Sequence, residues 1–241
     1  LFLRLSQARI TRILMWSQAQ RDFAVQRLCI PAAKIILMPY LVDQRFWRPL
    51  PIASDQFAAV GNEMRDYDTL LAALQGLALP CEIIASRWTL SPQAQAMVDE
   101  KRLPAGVSLH NASYTELRAV YARSRFIVVP LKPSDTNHGL TVILEAMAMG
   151  KPVICSRVRG HTDIIQDGVT GVFVEQGNAE ALRAAIERLW NDPQQAARMG
   201  AAARRYIEER HCLEDFVAHV KDAVEQTVAQ RGALPASGLA V

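Results

Sequence analysis

Short apolar runs alternate with amphipathic segments along most of this chain. The apolar runs have the length of buried strands, and the segments between them repeat apolar positions at helical spacing. Predicted strands cover residues 57–60, 82–85, 108–110, 126–129, 152–155 and 171–174. Predicted helices cover residues 66–77, 93–101, 114–122, 139–149, 179–190, 194–209 and 213–230, with a short helix near Asp163.

Continuous apolar strands separated by helices are typical of a parallel sheet that helices cover on both faces. The pattern therefore predicts an α/β fold with a doubly wound, Rossmann-like parallel sheet. In such sheets, ligands bind where the loops leave the carboxyl ends of the strands. Candidate chemistry is accordingly expected in those loops.

The first fifty residues form a separate pattern. Residues 2–10 resemble the end of an amphipathic helix, and residues 13–16 and 34–38 are predicted short strands. Ser17 stands where it would cap a helix that runs to about residue 28. Closely spaced prolines at residues 48–51 are typical of a linker. Because the chain starts within a helical pattern and not with Met, we expect an amino-terminal truncation.

Composition indicates an ordinary globular protein, with 50% hydrophobic and 21% charged residues among 241. The formal net charge of +3 is too small to indicate nucleic-acid binding. Residues 1–50 carry eight basic and two acidic side chains, whereas the rest of the chain is mildly acidic. No apolar run approaches the length of a membrane span. The four cysteines lie far apart, which favours free thiols in a reducing compartment.

The most informative stretch is residues 134–154, where a polar loop leads into a helix that opens near Gly139. Amides in the first turn of a helix have no partner within the helix, and the helix dipole favours an anion there. Gly139 would let a phosphate approach the backbone closely. Glu145 lies further along that helix and can accept two hydrogen bonds from a ribose diol. A core helix with an exposed Glu explains this pattern equally well.

Several blocks of sequence resemble the carboxy-terminal half of a group-one glycosyltransferase, the retaining family 4 type with the GT-B fold. Residues 144–154, Leu-Glu-Ala-Met-Ala-Met-Gly-Lys-Pro-Val-Ile, match the block LEAMAxGxPVI of that family. Residues 160–174 resemble its GGxxEhhxdGxtGhhV block, and residues 59–74 its first strand and helix. Tyr114–Pro130 matches LxxLYxxxdhhhhPS, and residues 13–17 and 39–49 resemble the exit from the amino-terminal domain and the hinge.

The resemblance implies a domain organisation. It implies a nucleotide-sugar-binding Rossmann-like domain together with the tail end of a second Rossmann-like domain. The four parts are 1–50, the last elements of a truncated acceptor domain and the hinge; 51–212, the donor domain; 213–230, a terminal crossover helix; and 231–241, a frayed tail. The acceptor pocket and any acceptor-activating group would then lie in the missing part, so we expect this chain alone to bind donor without efficient transfer.

The resemblance also assigns donor-binding roles, residue by residue. Glu145 should hold the nucleotide ribose, and Arg65 falls on the Lys that neutralises the donor diphosphate. Thr141 and Val142 lie where backbone amides meet the distal phosphate, next to His138, Gly139 and Leu140. Together these groups would stabilise the departing nucleoside diphosphate.

Three positions depart from the usual family pattern. Asn137 stands at the position of the first Glu of the family, where an amide hydrogen-bonds hydroxyls but carries no charge. Asn62 replaces the phosphate-binding Arg, which leaves Arg65 as the single cation in that loop. Gly139 is one residue earlier, relative to Glu145, than in the commonest form. No catalytic residue is therefore assigned.

Asp66-Tyr67-Asp68 spells the D-x-D of metal-dependent glycosyltransferases with another fold. Here it starts a helix, where the two carboxylates point about 200° apart and cannot chelate one ion. We expect Asp66 to cap the helix, and we expect neither a metal nor another cofactor. Of the remaining histidines, His110 lines a base pocket or is structural, His161 lies near the cleft, and His211 and His219 lie on the surface.

The sequence thus predicts a bacterial, metal-independent, retaining glycosyltransferase. It would move a sugar from a nucleoside-diphosphate sugar to a glycan or lipid-linked acceptor. Two alternatives stay open: a non-catalytic nucleotide-sugar-binding scaffold subunit, and another GT-B enzyme such as a nucleotide-sugar epimerase. The expected location is the cytoplasm. The basic residues 1–50 allow a peripheral contact with the inner face of the membrane, although a solvated basic face is slightly favoured.

Overall fold

A computed structural model describes residues 9–134, 138–158 and 164–232 of the chain. Its backbone divides into two compact units. One comprises Leu1–Leu41 with Arg210–Val241, and the other is Val42–Glu209. The division of the sequence at residues 50 and 212 stays a prediction.

The unit Val42–Glu209 is built on a six-stranded sheet. Its strands are β3 (Gln56–Val60), β4 (Cys81–Ile84), β5 (Val107–His110), β6 (Ser124–Val129), β7 (Val153–Ser156) and β8 (Gly171–Val174). All neighbouring strands are parallel, in the order β5-β4-β3-β6-β7-β8. Counted within the unit, this is the 3-2-1-4-5-6 order of the dinucleotide-binding fold. The predicted doubly wound α/β domain is confirmed.

The central strands are buried on both faces because helices cover the sheet. The helices of this unit are α2 (Tyr67–Leu74), α3 (Pro92–Asp99), α4 (Tyr114–Arg123), α5 (Leu140–Ala148), α6 (Ala179–Asn191) and α7 (Pro193–Arg210). Phe57 and Phe126 stack in the core with their ring centroids 5.0 Å apart. The edge strand β5 instead alternates partly buried and exposed positions, as a strand with one open side does.

Polar side chains cap most of these helices at their first turn. Asp66 accepts the amide of Thr69 at 3.1 Å and so caps α2, as the sequence predicts. Ser113 and Glu116 form a reciprocal capping box at the start of α4. The second helix ends at Leu74, three residues earlier than predicted, because Gly76 takes a positive φ of 76°.

The unit Leu1–Leu41 with Arg210–Val241 carries a two-stranded parallel sheet. Its elements are β1 (Ile13–Met15), α1 (Gln18–Leu28), β2 (Ile35–Leu37) and α8 (Leu213–Gly232). Ser17 caps α1 as predicted. The helical pattern of residues 2–8 and the short helix near Asp163 lie outside the described residues.

The expectation that His211 lies on the surface is wrong, because its side chain is buried. Its Nδ1 lies 2.8 Å from the carbonyl of Tyr40, 171 residues away. Burial lowers the pKa of His211 below its ordinary value. His219 is exposed, as expected.

No helix in the described ranges has both the length and the hydropathy needed to cross a membrane.

Candidate functional site

The candidate site lies at the carboxyl ends of β3 and β6, where the direction of the strand order reverses. The loop after β3 begins at Gly61, and the loop after β6 leads to Gly139 at the start of α5. In open α/β sheets the crevice at this reversal binds ligands, because neighbouring loops diverge there. The two loops are joined by a backbone bridge between Arg65 and Leu131.

Arg65 is a buried cation in this crevice, with 4% of its surface exposed. Its Nε donates to the carbonyl of Val60 at 2.8 Å, and its Nη1 donates to the carbonyl of Glu63 at 2.7 Å. Burial lowers the pKa of Arg65, but a guanidinium stays protonated in proteins. Among the hydrogen bonds between described residues, Nη2 donates to none. The side chain is thus held in place by two bonds and keeps donors for a ligand.

Two glycines make room for this guanidinium. A Cβ on Gly61 would overlap Arg65 Nη2, and a Cβ on Gly139 would lie 3.3 Å from Arg65 Nη1. Both residues also have positive φ, of 113° and 87°, which favours glycine. The Arg65 guanidinium therefore lies directly against the first residue before α5.

Two helices, α2 and α5, begin at this crevice. Asp66 caps α2, whereas no side chain among the described residues caps the amino terminus of α5. Its first intrahelical bond is from the amide of Ile143 to the carbonyl of Gly139, at 3.0 Å. The amides of Leu140, Thr141 and Val142 precede that bond and face the open end of the helix. Together with the helix dipole and Arg65, they form a cradle of positive charge that suits a phosphate.

Glu145 lies one to two turns further along α5 and is buried, with 5% of its surface exposed. Its Oε2 accepts the hydroxyl of Tyr121 at 3.0 Å. Burial raises the pKa of the Glu145 carboxyl to about 7, although the Tyr121 hydroxyl acts to lower it. The alternative of an exposed Glu on a core helix is therefore excluded. Within the described part of the chain, Oε1 has no hydrogen-bond donor and stays available to a ligand.

Other predicted residues occupy the rim of the crevice. The side-chain oxygen of Asn62 accepts the amide of Ser86 at 2.7 Å, so it ties the loop after β3 to the loop after β4. His138 Nδ1 lies 3.3 Å from Glu63 Oε2 and so connects the two loops that flank Arg65. Asn137, at the position of the first Glu of the family, lies outside the described residues.

Sequence reasoning missed three groups that hold the site in shape. Tyr67 donates to the Gly61 carbonyl at 2.5 Å, and Ser156 Oγ accepts the amide of Leu131 at 2.9 Å. Tyr121 holds Glu145, as described above. Of these, only Tyr121 had a signal in the sequence, because it is the Tyr of the Tyr114–Pro130 block.

The two remaining candidate residues are His110, which lies apart from the cradle, and His161. His110 Nε2 lies 3.4 Å from Glu82 Oε2, and Arg123 pairs with the same carboxylate at 3.0 Å. This network favours the structural interpretation of His110. His161 lies outside the described residues. No group of three or more His, Cys, Asp or Glu side chains suited to a metal occurs within the ranges that the structure describes.

Comparison with known proteins identifies the family. The sequence model of the family Glycosyl transferases group 1 matches residues 62–206, more than half of the chain. The chain is 23% identical over 212 residues to an alpha-D-kanosaminyltransferase of Streptomyces kanamyceticus, a match that covers 79% of this chain and 54% of that protein. It is 34% identical over 95 residues to a GDP-mannose-dependent phosphatidylinositol monomannoside mannosyltransferase of Mycolicibacterium smegmatis, covering 38% and 25% of the two chains. The chain thus spans about half or less of the length of these relatives.

Solved structures show the same fold. A glycosyltransferase from Rickettsia africae superposes with a TM-score of 0.81 at 16% identity, covering 94% of this chain and 67% of that one. Anabaena HepE, solved in complex with UDP, superposes with a TM-score of 0.78 at 16% identity, covering 93% and 66%. The predicted resemblance is confirmed: this chain belongs to the family of group 1 glycosyl transferases.

Proposed function

We propose that this chain is the donor-binding part of a retaining, metal-independent glycosyltransferase that takes its sugar from a nucleoside-diphosphate sugar. The observation that carries the proposal is the buried Arg65 guanidinium against the uncapped amino terminus of α5. In this proposal, Arg65 and the amides of Leu140, Thr141 and Val142 bind the diphosphate. The charge that develops as the nucleoside diphosphate leaves is then stabilised by donors that are already in place.

Glu145 has the complementary role of holding the ribose. Its free carboxylate oxygen and its position on α5 suit a ribose diol, which donates two hydrogen bonds to a carboxylate. Gly139 keeps the backbone close to the phosphates, and His138 and Asn62 border the donor. A donor contact of Asn137, which lies outside the described residues, is proposed on the family resemblance alone.

Three further parts of the proposal, namely retention, metal independence and the donor class, each have their own support. Retention follows from the resemblance to the family 4 type. Metal independence is supported by the cradle, because Arg65 and the α5 dipole supply the positive charge that a divalent ion supplies elsewhere. The donor class is supported by relatives, one named as GDP-mannose-dependent and one solved with UDP.

The acceptor is proposed to be a glycan or a lipid-linked molecule, bound by the part of the enzyme that this chain does not include. Residues 1–50 are proposed to be the end of that acceptor domain, and 213–230 a terminal crossover helix. The proposed location is the cytoplasm, with peripheral contact to the inner membrane face through the basic amino-terminal residues.

One observation favours a second candidate, a non-catalytic subunit that binds nucleotide sugar. Asn62 stands where the family has a phosphate-binding Arg, and its oxygen is taken by the Ser86 amide. Turnover separates the two functions. A whole protein that transfers or hydrolyses a sugar donor is an enzyme, whereas one that binds the donor tightly without turnover is a scaffold.

Calorimetric titration of the chain with UDP, GDP and ADP, with and without EDTA, tests the proposal. One nucleotide should bind, with the same affinity in EDTA. Glu145→Ala should weaken its binding by about 1–3 kcal/mol, the cost of an unpaired hydrogen-bonding group. Glu209→Ala, which removes an exposed carboxylate at the end of α7, should leave the affinity unchanged. An equal affinity for wild type and Glu145→Ala rejects the ribose role.

A further inference from the structure

A second cavity lies at the amino ends of the strands, on the opposite side of the sheet from the donor crevice at their carboxyl ends. Its volume is about 730 Å³, and its lining includes Ser54, Arg125 and Lys151, which stand just before or at the amino ends of β3, β6 and β7. The donor crevice lies at the carboxyl ends of the same strands. Strands of four to six residues span roughly 13–20 Å, so the two sites do not share residues or ligands.

The lining of this amino-edge pocket is strongly cationic. Among its described residues are four cations, Arg125, Lys151, Arg204 and Arg205, and one carboxylate, Glu208. Glu208 pairs with Arg204 at 2.7 Å. Three positive charges are therefore left in excess.

The carboxyl ends of three helices neutralise part of this positive charge. Lys151 donates to the carbonyl of Ala122 in α4, Arg125 to that of Trp190 in α6, and Arg204 to that of Ala148 in α5. Each helix end carries a partial charge of roughly −0.5, so three ends offset about half of the excess. The pocket keeps a positive charge that no helix end and no described carboxylate neutralises.

Donors in this pocket also remain unused within the described part of the chain. The Lys151 ammonium makes two hydrogen bonds, to Ser54 Oγ at 3.0 Å and to the Ala122 carbonyl at 2.9 Å, both with neutral oxygens. Burial lowers the pKa of Lys151 to about 8, which reflects a cation without a counter-ion. Arg205 is exposed at the mouth of the pocket.

The remaining walls are apolar and small. They come from the segment before β3, the turn after α5 and the first half of α7, with Pro49, Met149, Pro193, Ala197 and Ala201. Gly150 and Gly200 pack so closely that a Cβ on Gly200 would overlap the Gly150 carbonyl. The close contact holds α7 against the turn after α5, and the cavity volume of about 730 Å³ leaves room for an organic body beside the cations.

We propose that the amino-edge pocket binds a small phosphate monoester, with the phosphate on Lys151, Arg125 and Arg205 and the organic part against the wall of α7. A phosphate matches the excess charge and the unused donors, since charge-assisted hydrogen bonds to it are short and strong. This ligand would bind at the amino ends of the strands, away from the donor at their carboxyl ends. A ligand at such a distance from the donor would act as an effector.

Titration with glycerol 3-phosphate tests this site, and inorganic phosphate shows what the organic part adds. The protein should be the Arg65→Met variant, which removes the cation of the donor crevice and so weakens probe binding there. The losses in the pocket variants then assign the remaining binding to the amino-edge pocket, whatever the outcome for the proposed function. Binding should weaken at least fivefold in Arg205→Ala and in Lys151→Met. Arg198→Ala is the matched control, because it removes an exposed arginine from the same helix outside the pocket.

Arg198→Ala should change the affinity less than twofold. No binding of either probe by a folded protein, or equal losses in Arg205→Ala and Arg198→Ala, overturns the proposal. Sedimentation with phosphatidylcholine vesicles, with and without phosphatidic acid, identifies the source of the phosphate. If the protein sediments with the vesicles only when both phosphatidic acid and Arg205 are present, the site binds a lipid headgroup. If the protein binds the soluble probes but does not sediment with the vesicles, the site binds a soluble ester.

Discussion

The Tyr121 hydroxyl donates a 3.0 Å hydrogen bond to the Glu145 carboxylate, and both side chains are buried. The two residues lie on neighbouring helices, α4 and α5, and Tyr121 also packs edge-on against Trp47 with ring centroids 5.4 Å apart. Tyr121 is therefore fixed by packing, and it fixes one carboxylate oxygen of Glu145. The charge of the site near neutral pH depends on this contact, because burial raises the pKa of Glu145 to about 7 against the effect of the hydroxyl.

Tyr121→Phe removes this hydroxyl and keeps the ring. We expect the free energy of unfolding to fall by about 1 kcal/mol, the usual net value of a hydrogen bond. The pKa of Glu145 should rise, because the donor that favours its charged form is gone. Thermal unfolding and nucleotide titration over a pH series measure the two effects. Tyr114→Phe, at an exposed position on the same helix, is the control and should change neither.

Nucleotide affinity should depend on pH through Glu145. A carboxyl with a pKa of about 7 loses roughly a factor of ten in its ionised fraction between pH 8 and pH 6. Since the ionised form accepts both ribose hydroxyls, affinity should fall by up to about tenfold over that interval. Glu145→Gln cannot ionise, so its affinity should keep only the shallow pH dependence of the nucleotide itself. A wild-type profile that follows the Gln variant contradicts the role of Glu145.

The same ionisation affects stability in the opposite direction. The pKa of Glu145 is higher in the folded chain than its ordinary value of 4.5, so the folded chain holds this proton more tightly. The stabilisation is complete below pH 4.5 and is lost as the pH rises through 7. Measured as unfolding free energy, the wild type should therefore lose stability relative to Glu145→Gln as the pH rises from about 5 to about 8.

Gly139→Ala should damage the phosphate cradle more than the fold. Alanine at a φ of 87° costs about 1–2 kcal/mol, and its Cβ would lie 3.0 Å from Val129 Cγ1 and 3.3 Å from Arg65 Nη1. The guanidinium must then shift away from α5. Gly177→Ala is the matched control, because Gly177 has a φ of 69° and nothing lies within 4 Å of its Cβ. Both variants should lose stability through the strained φ, Gly139→Ala somewhat more because of its two close contacts. Only Gly139→Ala should lose nucleotide affinity.

The elements of the fold could be predicted closely because their signals are local. Apolar runs gave the strands β3 to β8 to within about two residues, and Asp66 was expected as the cap that it is. The carboxyl-end loops follow from a parallel sheet, so the region of the site could be predicted as well. The family resemblance brought Arg65 and Glu145 to attention, and their roles remain predictions.

The remaining features depend on contacts that no local pattern contains. Asn62 is held by Ser86, 24 residues later, and Tyr121 donates to Glu145 across the same separation. His211 was expected on the surface, yet it is buried and its partner Tyr40 is 171 residues away. The cations of the amino-edge pocket likewise come from three separate segments, β6, the turn after α5, and α7, which the packing of helix ends brings together.

The most direct test of the donor site compares a nucleoside diphosphate with its monophosphate, using the base that the chain prefers. If Arg65 and the α5 amides bind the distal phosphate, the wild type should prefer the diphosphate at least tenfold, and Arg65→Met should lose most of that preference while it still binds the monophosphate. Arg188→Met, an exposed arginine on α6, should keep the preference. An unchanged preference in a folded Arg65→Met variant would contradict the account.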